Sequence, residues 1–191
     1  TMGALLARVA SICTLSGGPV VSTGNPTCCS TVEESDESAP PSPARTGPVF
    51  RHRQYHKGFL ERNHEVISLD LDPRGAPTNC ANLLDWRYKT LPRGHFDVIW
   101  ASCPCEQYSV ARSSALTPRD LLLADTLVLR TQELIEYFQP RCWFVENPSG
   151  SQLWQRFTWP RLVKTSYCSY GFLYRKHTTI ATNTDLCLRQ P

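Results

Sequence analysis

Apolar and polar positions divide this chain into two unlike parts, with the change near Phe50. Beyond it, short apolar runs alternate with polar turns. EVISLDLD (65–72) is a β-rich run that ends in acids. FDVIWAS (96–102) is another, entered through a turn at Pro92 to Gly94. CWFVENP (142–148) reads as a third, buried strand. KTSYCSY (164–170) and TTIATN (178–183) flank Gly171 to His177 and predict a hairpin. HKGFLERN (56–63) reads as the end of a helix, with Asn63 suited to its C-terminal cap. The clearest helix follows Thr117, which can cap it. Pro118 suits its first position and Asp120 its first turn. Leu121, Ala124, Val128, Thr131, Ile135 and Phe138 then recur at helical spacing, and the pattern stops before Pro140.

Strands alternating with helices predict an α/β fold with parallel neighbours in the sheet. The first part of the chain does not follow this pattern. Residues 16–48 are rich in Ser, Thr, Gly and Pro, with an acidic knot at Glu33, Glu34, Asp36 and Glu37. APPSPARTGP (39–48) should be extended or disordered. The division expected is a poorly ordered or aberrant segment over 1–48 and a catalytic domain over 49–187.

Composition adds little but excludes some classes. A chain of 191 residues suits one domain, and 41% hydrophobic residues can build a core. A net charge of +3 is too weak to argue for nucleic acid by itself. Nine cysteines are irregularly spaced with no CxxC pair, against a zinc ribbon or a secreted disulfide framework. They read as thiols in a reducing compartment inside a cell, either a nucleus or a cytoplasm. No metal site is expected. Apolar runs fall short of the roughly 20 residues that span a membrane, so no membrane partner is expected. Met2 to Val9 is too short and poorly flanked for a signal peptide, and an opening Thr1 suggests a fragment or a processed chain.

The chemistry lies at the strand ends, where ligands bind in open α/β sheets. After the first strand come Asp70 and Asp72, and after the second Cys103, Pro104 and Cys105. After the third come Glu146 and Asn147, and the hairpin turn carries Tyr174, Arg175, Lys176 and His177. A nucleophile, acids and cations on one rim are a poor match for chance.

Four segments resemble the cytosine carbon-5 methyltransferases. FDVIWASCPCEQYS resembles the strand and Pro-Cys nucleophile loop of that family, and WFVENP its Glu-Asn strand. SYGFLYRKHT resembles its Tyr-Gly turn and basic cluster, and EVISLDLDP its cofactor-binding strand. The resemblance covers roughly residues 56–183. It implies a Rossmann-like, S-adenosylmethionine-dependent methyltransferase fold. Such a fold has a mostly parallel sheet, helices on both faces and an antiparallel C-terminal strand pair. It implies Cys105 as the nucleophile, Glu146 on the Watson–Crick edge of a flipped cytosine, and Arg175 and Lys176 at the base oxygen or phosphates. Asn147 would orient the loop. For the cofactor it implies Asp70 at the ribose, with Asp72 as runner-up, Asn82 near the adenine and Pro104 beside it. Ile67, Leu83 or Trp86 would wall the adenine, although core packing suits Ile67 better. Cys103 takes a position where the family tolerates small or apolar residues.

One family feature is missing from its usual place. A Phe-x-Gly-x-Gly loop should stand just before HKGFLERN, yet GPVFRHRQY (47–55) stands there. SICTLSGG (11–18) is a faint echo of a strand with glycines, separated by the acidic, proline-rich stretch. The reading adopted is that the N-terminal part is not the genuine segment, which predicts weak or absent cofactor binding. The competing reading gives the work to Gly17 and Gly18. The resemblance implies DNA as substrate, although the same base chemistry serves RNA. An inactive remnant that binds nucleic acid or a partner is the alternative from another class. The CPCE loop argues against an amino-group methyltransferase. A target-recognition domain does not fit after the basic turn, so sequence specificity is expected to be minimal or supplied by something absent from this sequence.

Overall fold

A computed structural model describes residues 8–13, as backbone, together with 58–110, 112 and 118–189. Seven strands form a single sheet: β1 (Arg8–Cys13), β2 (Glu65–Asp70), β3 (Asn79–Cys80), β4 (Val98–Ser102), β5 (Cys142–Pro148), β6 (Leu162–Ser166) and β7 (His177–Thr182). Their order is β3-β2-β1-β4-β5-β7-β6. The pairs β1–β2, β1–β4, β2–β3 and β4–β5 are parallel. β7 runs antiparallel to both β5 and β6. The sheet is therefore mixed, in an α/β fold.

β1 departs most from the sequence expectation. Residues 8–13 fell within the segment set apart from the catalytic domain, yet they fill the gap between β2 and β4. Ile12 pairs with Leu69, and Cys13 with Ser102. RVASIC carries too little apolar signal to stand out, and pairing on both sides makes it a strand. The rest of 1–48 lies outside the described residues, as does Thr117.

Besides the helical residues 58–60, the described part holds the helix α1 (Leu121–Phe138) and the single turn α2 (Leu153–Arg156). α1 begins later than its sequence suggests. Asp120 is the cap rather than a first-turn residue, its carboxylate accepting the Leu123 N–H at 2.9 Å. Pro118 therefore lies before the helix. Gln139 ends the helix in the left-handed region with φ 49°, and Pro140 follows. Leu127 and Leu134 join Ala124, Val128, Thr131 and Phe138 on the buried face, which is thus wider than the strict repeat. Residues 58–60 are helical, as expected for the end of a helix, and Asn63 follows with φ 58°, its N–H donating to the Leu60 carbonyl.

The core gathers Leu69, Ile99, Ala101 and Val145 from the sheet with Val128, Leu134 and Phe138 from α1. Phe96 and Phe138 meet edge to face, centroids 4.8 Å apart. Among the described residues, no helix is long and apolar enough to cross a membrane.

Candidate active site

Parallel pairing brings the carboxyl ends of β2, β4 and β5 to one edge of the sheet. β7 runs the other way, so it begins at that edge. Ser102 pairs with Glu146, and Pro148 with Thr178. Lys176, the residue before β7, thereby reaches the end of β5. Its Nζ donates to Glu146 Oε1 at 2.7 Å, with the two side chains only 11% and 7% exposed. The ammonium also lies over the Tyr167 ring, 4.8 Å from its centroid. Arg175 does not join them. It is exposed, and its charge acts on Cys168. The Ser166 hydroxyl first, and Arg175 after it, hold the Cys168 thiol below its ordinary value.

The loop after β4 is anchored on both sides of Cys105. Asn147, fully buried, donates from Nδ2 to the Cys103 carbonyl at 2.8 Å. On the far side Tyr108 is buried, its hydroxyl donating to Asp125 at 2.8 Å. The Tyr108 carbonyl accepts the Gln152 N–H at 3.1 Å. Arg156 in turn ion-pairs with Asp125. Between these anchors Cys105 is half-buried, and Pro104 is buried.

The two thiols of the CPC sequence differ sharply. Burial pushes the Cys103 thiol up to about 12, and the nearby Glu146 charge adds to the rise against a lowering hydrogen bond with Thr131. Cys103 is thus a neutral, packed thiol at neutral pH.

Asp70 ends β2 almost fully buried, with Oδ1 accepting the Asp72 N–H at 3.0 Å. Asp72 is engaged by Arg74 through both carboxylate oxygens. That side-chain bond, foremost, holds Asp72 below the usual carboxylate value. Asp70 pairs with Cys80, so Asn82, two residues on, leaves the next strand beside it. Asn82 Oδ1 accepts the Leu84 N–H at 3.0 Å. Leu83 is a core residue, and Ile67 and Trp86 pack against that core. Among the described residues, no group of three or more His, Cys, Asp or Glu could hold a metal ion.

The structure thus joins Glu146 to Lys176 directly, ties the loop that carries Cys105 to the end of β5 through Asn147, and sets Asp70 and Asn82 at the ends of β2 and β3. It leaves Arg175 exposed on the turn and Asp72 engaged by Arg74. Sequence reasoning missed the anchor Tyr108 and the Lys176 neighbour Tyr167. A lone aromatic in the polar stretch CEQYS was the available signal for the first. Nothing local marks the second, since Tyr167 meets Lys176 only through the pairing of β6 and β7.

Fold and edge together define a class: a mixed α/β protein that collects a cysteine, a carboxylate and a cation at its strand ends. No protein-family model matches the chain. The chain is 35% identical over 117 residues to the "Probable DNA (cytosine-5)-methyltransferase" of Frog virus 3 (isolate Goorha), covering 54% of each protein. The chain thus spans about half the length of the curated relative it matches. This similarity supports the cytosine-5 methyltransferase family for the chain.

Proposed function

We propose that this chain is the catalytic core of a DNA cytosine carbon-5 methyltransferase with a Rossmann-like fold that includes β1. The observation that carries the reading is the buried Lys176–Glu146 pair at 2.7 Å beside a loop that presents Cys105.

The cofactor implied is S-adenosylmethionine. The residues fit it in part. A buried carboxylate at the end of β2, already oriented by one backbone N–H, suits a ribose diol. Asp70 takes that role in preference to Asp72, which Arg74 occupies. Asn82 and the buried Pro104 would border the adenine and the methyl-bearing end. β1 leaves the sheet between β2 and β4 and runs in sequence toward Gly17 and Gly18, which supports those glycines as the cofactor loop. When bound, S-adenosylmethionine supplies an electrophilic methyl group.

The chain's own residues carry the remaining steps. The target cytosine must leave the duplex stack to reach the rim. The Cys105 thiolate adds to carbon 6, which breaks aromaticity and makes carbon 5 nucleophilic. Glu146 hydrogen-bonds the Watson–Crick edge, and a proton shared between its carboxyl group and ring nitrogen 3 meets the negative charge that develops there. Lys176 fixes the Glu146 carboxylate and offers its charge toward the base oxygen. After methylation, water takes the carbon-5 proton, the C–H electron pair re-forms the carbon 5–carbon 6 double bond, and the Cys105 sulfur departs as thiolate. Arg175, exposed on the turn, is suited to a phosphate.

The test is methyl transfer from labelled S-adenosylmethionine to duplex DNA, beside Cys105→Ser. Transfer that the substitution abolishes is expected, together with a covalent adduct on duplexes containing 5-fluorocytosine. A protein that binds cofactor and transfers methyl groups without forming that adduct would remove Cys105 from its role. No cofactor binding at all would favour the inactive remnant.

A further inference from the structure

Cys105 to Tyr108 make one turn, closed by the Tyr108 N–H donating to the Cys105 carbonyl at 3.2 Å. Whatever holds Tyr108 therefore holds Cys105. Two groups at either end of α2 do so. The Tyr108 carbonyl accepts the Gln152 N–H, just before α2. The Tyr108 hydroxyl reaches Arg156, the last residue of α2, through Asp125. Asp125 Oδ1 accepts the Tyr108 hydroxyl at 2.8 Å and Arg156 Nε at 2.9 Å, while Oδ2 accepts Arg156 Nη2.

These bonds close a ring. It runs from Cys105 through Tyr108 to α2 and back along the chain to the end of β5, which carries Glu146 and Asn147. It returns through Asn147 to the Cys103 carbonyl, two residues before Cys105. The nucleophile turn and the carboxylate of the site are thus fixed against each other. Asp125 enters the ring from α1, a helix whose buried face otherwise packs the core.

Packing alone would be met by a phenyl ring at position 108. A buried hydroxyl needs an acceptor as well. Asp125 supplies a charged one, itself gripped by Arg156 through both oxygens. Burial first, and the Asp125 carboxylate next, raise the Tyr108 hydroxyl, which keeps it a donor. The Arg156 bond, foremost, lowers Asp125, which keeps it an acceptor.

We propose that Asp125 is a positioning residue for the Cys105 nucleophile, acting through the Tyr108 hydroxyl. The proposal rests on the methyltransferase reading above, in which Asp125 touches neither base nor cofactor. A sulfur on a half-buried turn attacks quickly only while it is held at near-attack distance, and a misplacement of about 1 Å can slow such a step about 100-fold.

The experiment follows covalent capture, by the full chain with S-adenosylmethionine, of duplex DNA in which 5-fluorocytosine replaces cytosine. The rate reports how well Cys105 is placed, and the final amplitude reports how much protein is folded and competent. Tyr108→Phe removes one oxygen and leaves the Asp125–Arg156 pair in place. It is expected to capture about tenfold more slowly than the parent, at full amplitude and with the S-adenosylmethionine Kd within about twofold. Asp125→Asn keeps an oxygen for the hydroxyl but loosens Arg156, so it should slow capture by about threefold. Added to Tyr108→Phe it should slow capture no further, because the hydroxyl it acts through is gone. A Tyr108→Phe rate equal to the parent's would overturn the positioning role and leave the methyltransferase reading intact. So would slowing that simply adds in the double variant, or a reduced amplitude with an unchanged rate, which marks a bond that only supports the fold. No capture by the parent protein would instead end both readings, which separates the two failures.

Discussion

Lys176 and Glu146 form a buried ion pair whose value depends on both partners staying in place. Each lost its water on folding, and each is compensated by the other at 2.7 Å. Lys176→Met removes one charge and leaves the other buried, so unfolding free energy should fall by about 3–5 kcal/mol. Urea denaturation measures this, and a loss of less than about 1 kcal/mol would mean that water reaches the carboxylate. Glu146→Gln should abolish methyl transfer while leaving cofactor binding unchanged, because the proposed function gives Glu146 to the base and Asp70 to the cofactor. Equilibrium dialysis beside the transfer assay separates the two effects. At this scale much was legible. The order of Asp70, Cys105, Glu146 and Lys176 is written in the chain. What was not legible is which member of each close pair is available. Arg74 takes Asp72, burial takes Cys103, and Arg175 stays exposed while Lys176 reaches Glu146.

Between elements, Asn147 joins β5 to the loop after β4. Its Nδ2 holds the Cys103 carbonyl, while its Oδ1 is buried with no hydrogen-bond partner. Asn147→Ala would strand that carbonyl and should cost about 1–3 kcal/mol in stability. It should also slow the first methyl-transfer turnover more than it weakens cofactor binding, because the Pro-Cys loop loses one of its two anchors. Single-turnover rates unchanged by the substitution would show that Tyr108 alone positions the loop. Element positions followed the sequence well where the signal was periodic. β2, β4 and β5 begin and end close to their apolar runs. α1 began late because the Asp120 carboxylate supplies its cap. The hairpin shifted because residues 167–170 coil into a 3-10 turn instead of extending β6.

Across the whole molecule, alkali should be the weak side. Burial pushes Cys103 from 9.0 to about 12. Burial, with the bond to Glu133, pushes Tyr88 from 10.0 to about 12. Burial, with the bond to Asp125, raises Tyr108 as well. These groups keep their protons in the folded state where the unfolded chain has lost them. Their contribution is therefore complete below the unfolded values and is lost as pH rises toward the folded ones. The urea midpoint should stay level to about pH 8.5 and fall steadily above it. Cys103→Ala should reduce the slope of that fall. A midpoint that rises between about pH 9 and 11 would contradict the assignment.

The sequence by itself determined the run of strands and helix after Phe50 and the order of the chemistry-bearing residues. Both are local: a period of apolar positions and a short motif need no partner to be read. Only the tertiary structure decided that Arg8–Cys13 sits in the middle of the sheet. RVASIC is a weak strand alone, and hydrogen bonding to β2 on one side and β4 on the other makes it one. The same holds for Lys176 on Glu146. Thirty residues separate them in the chain, and an antiparallel β7 beside β5 closes that distance.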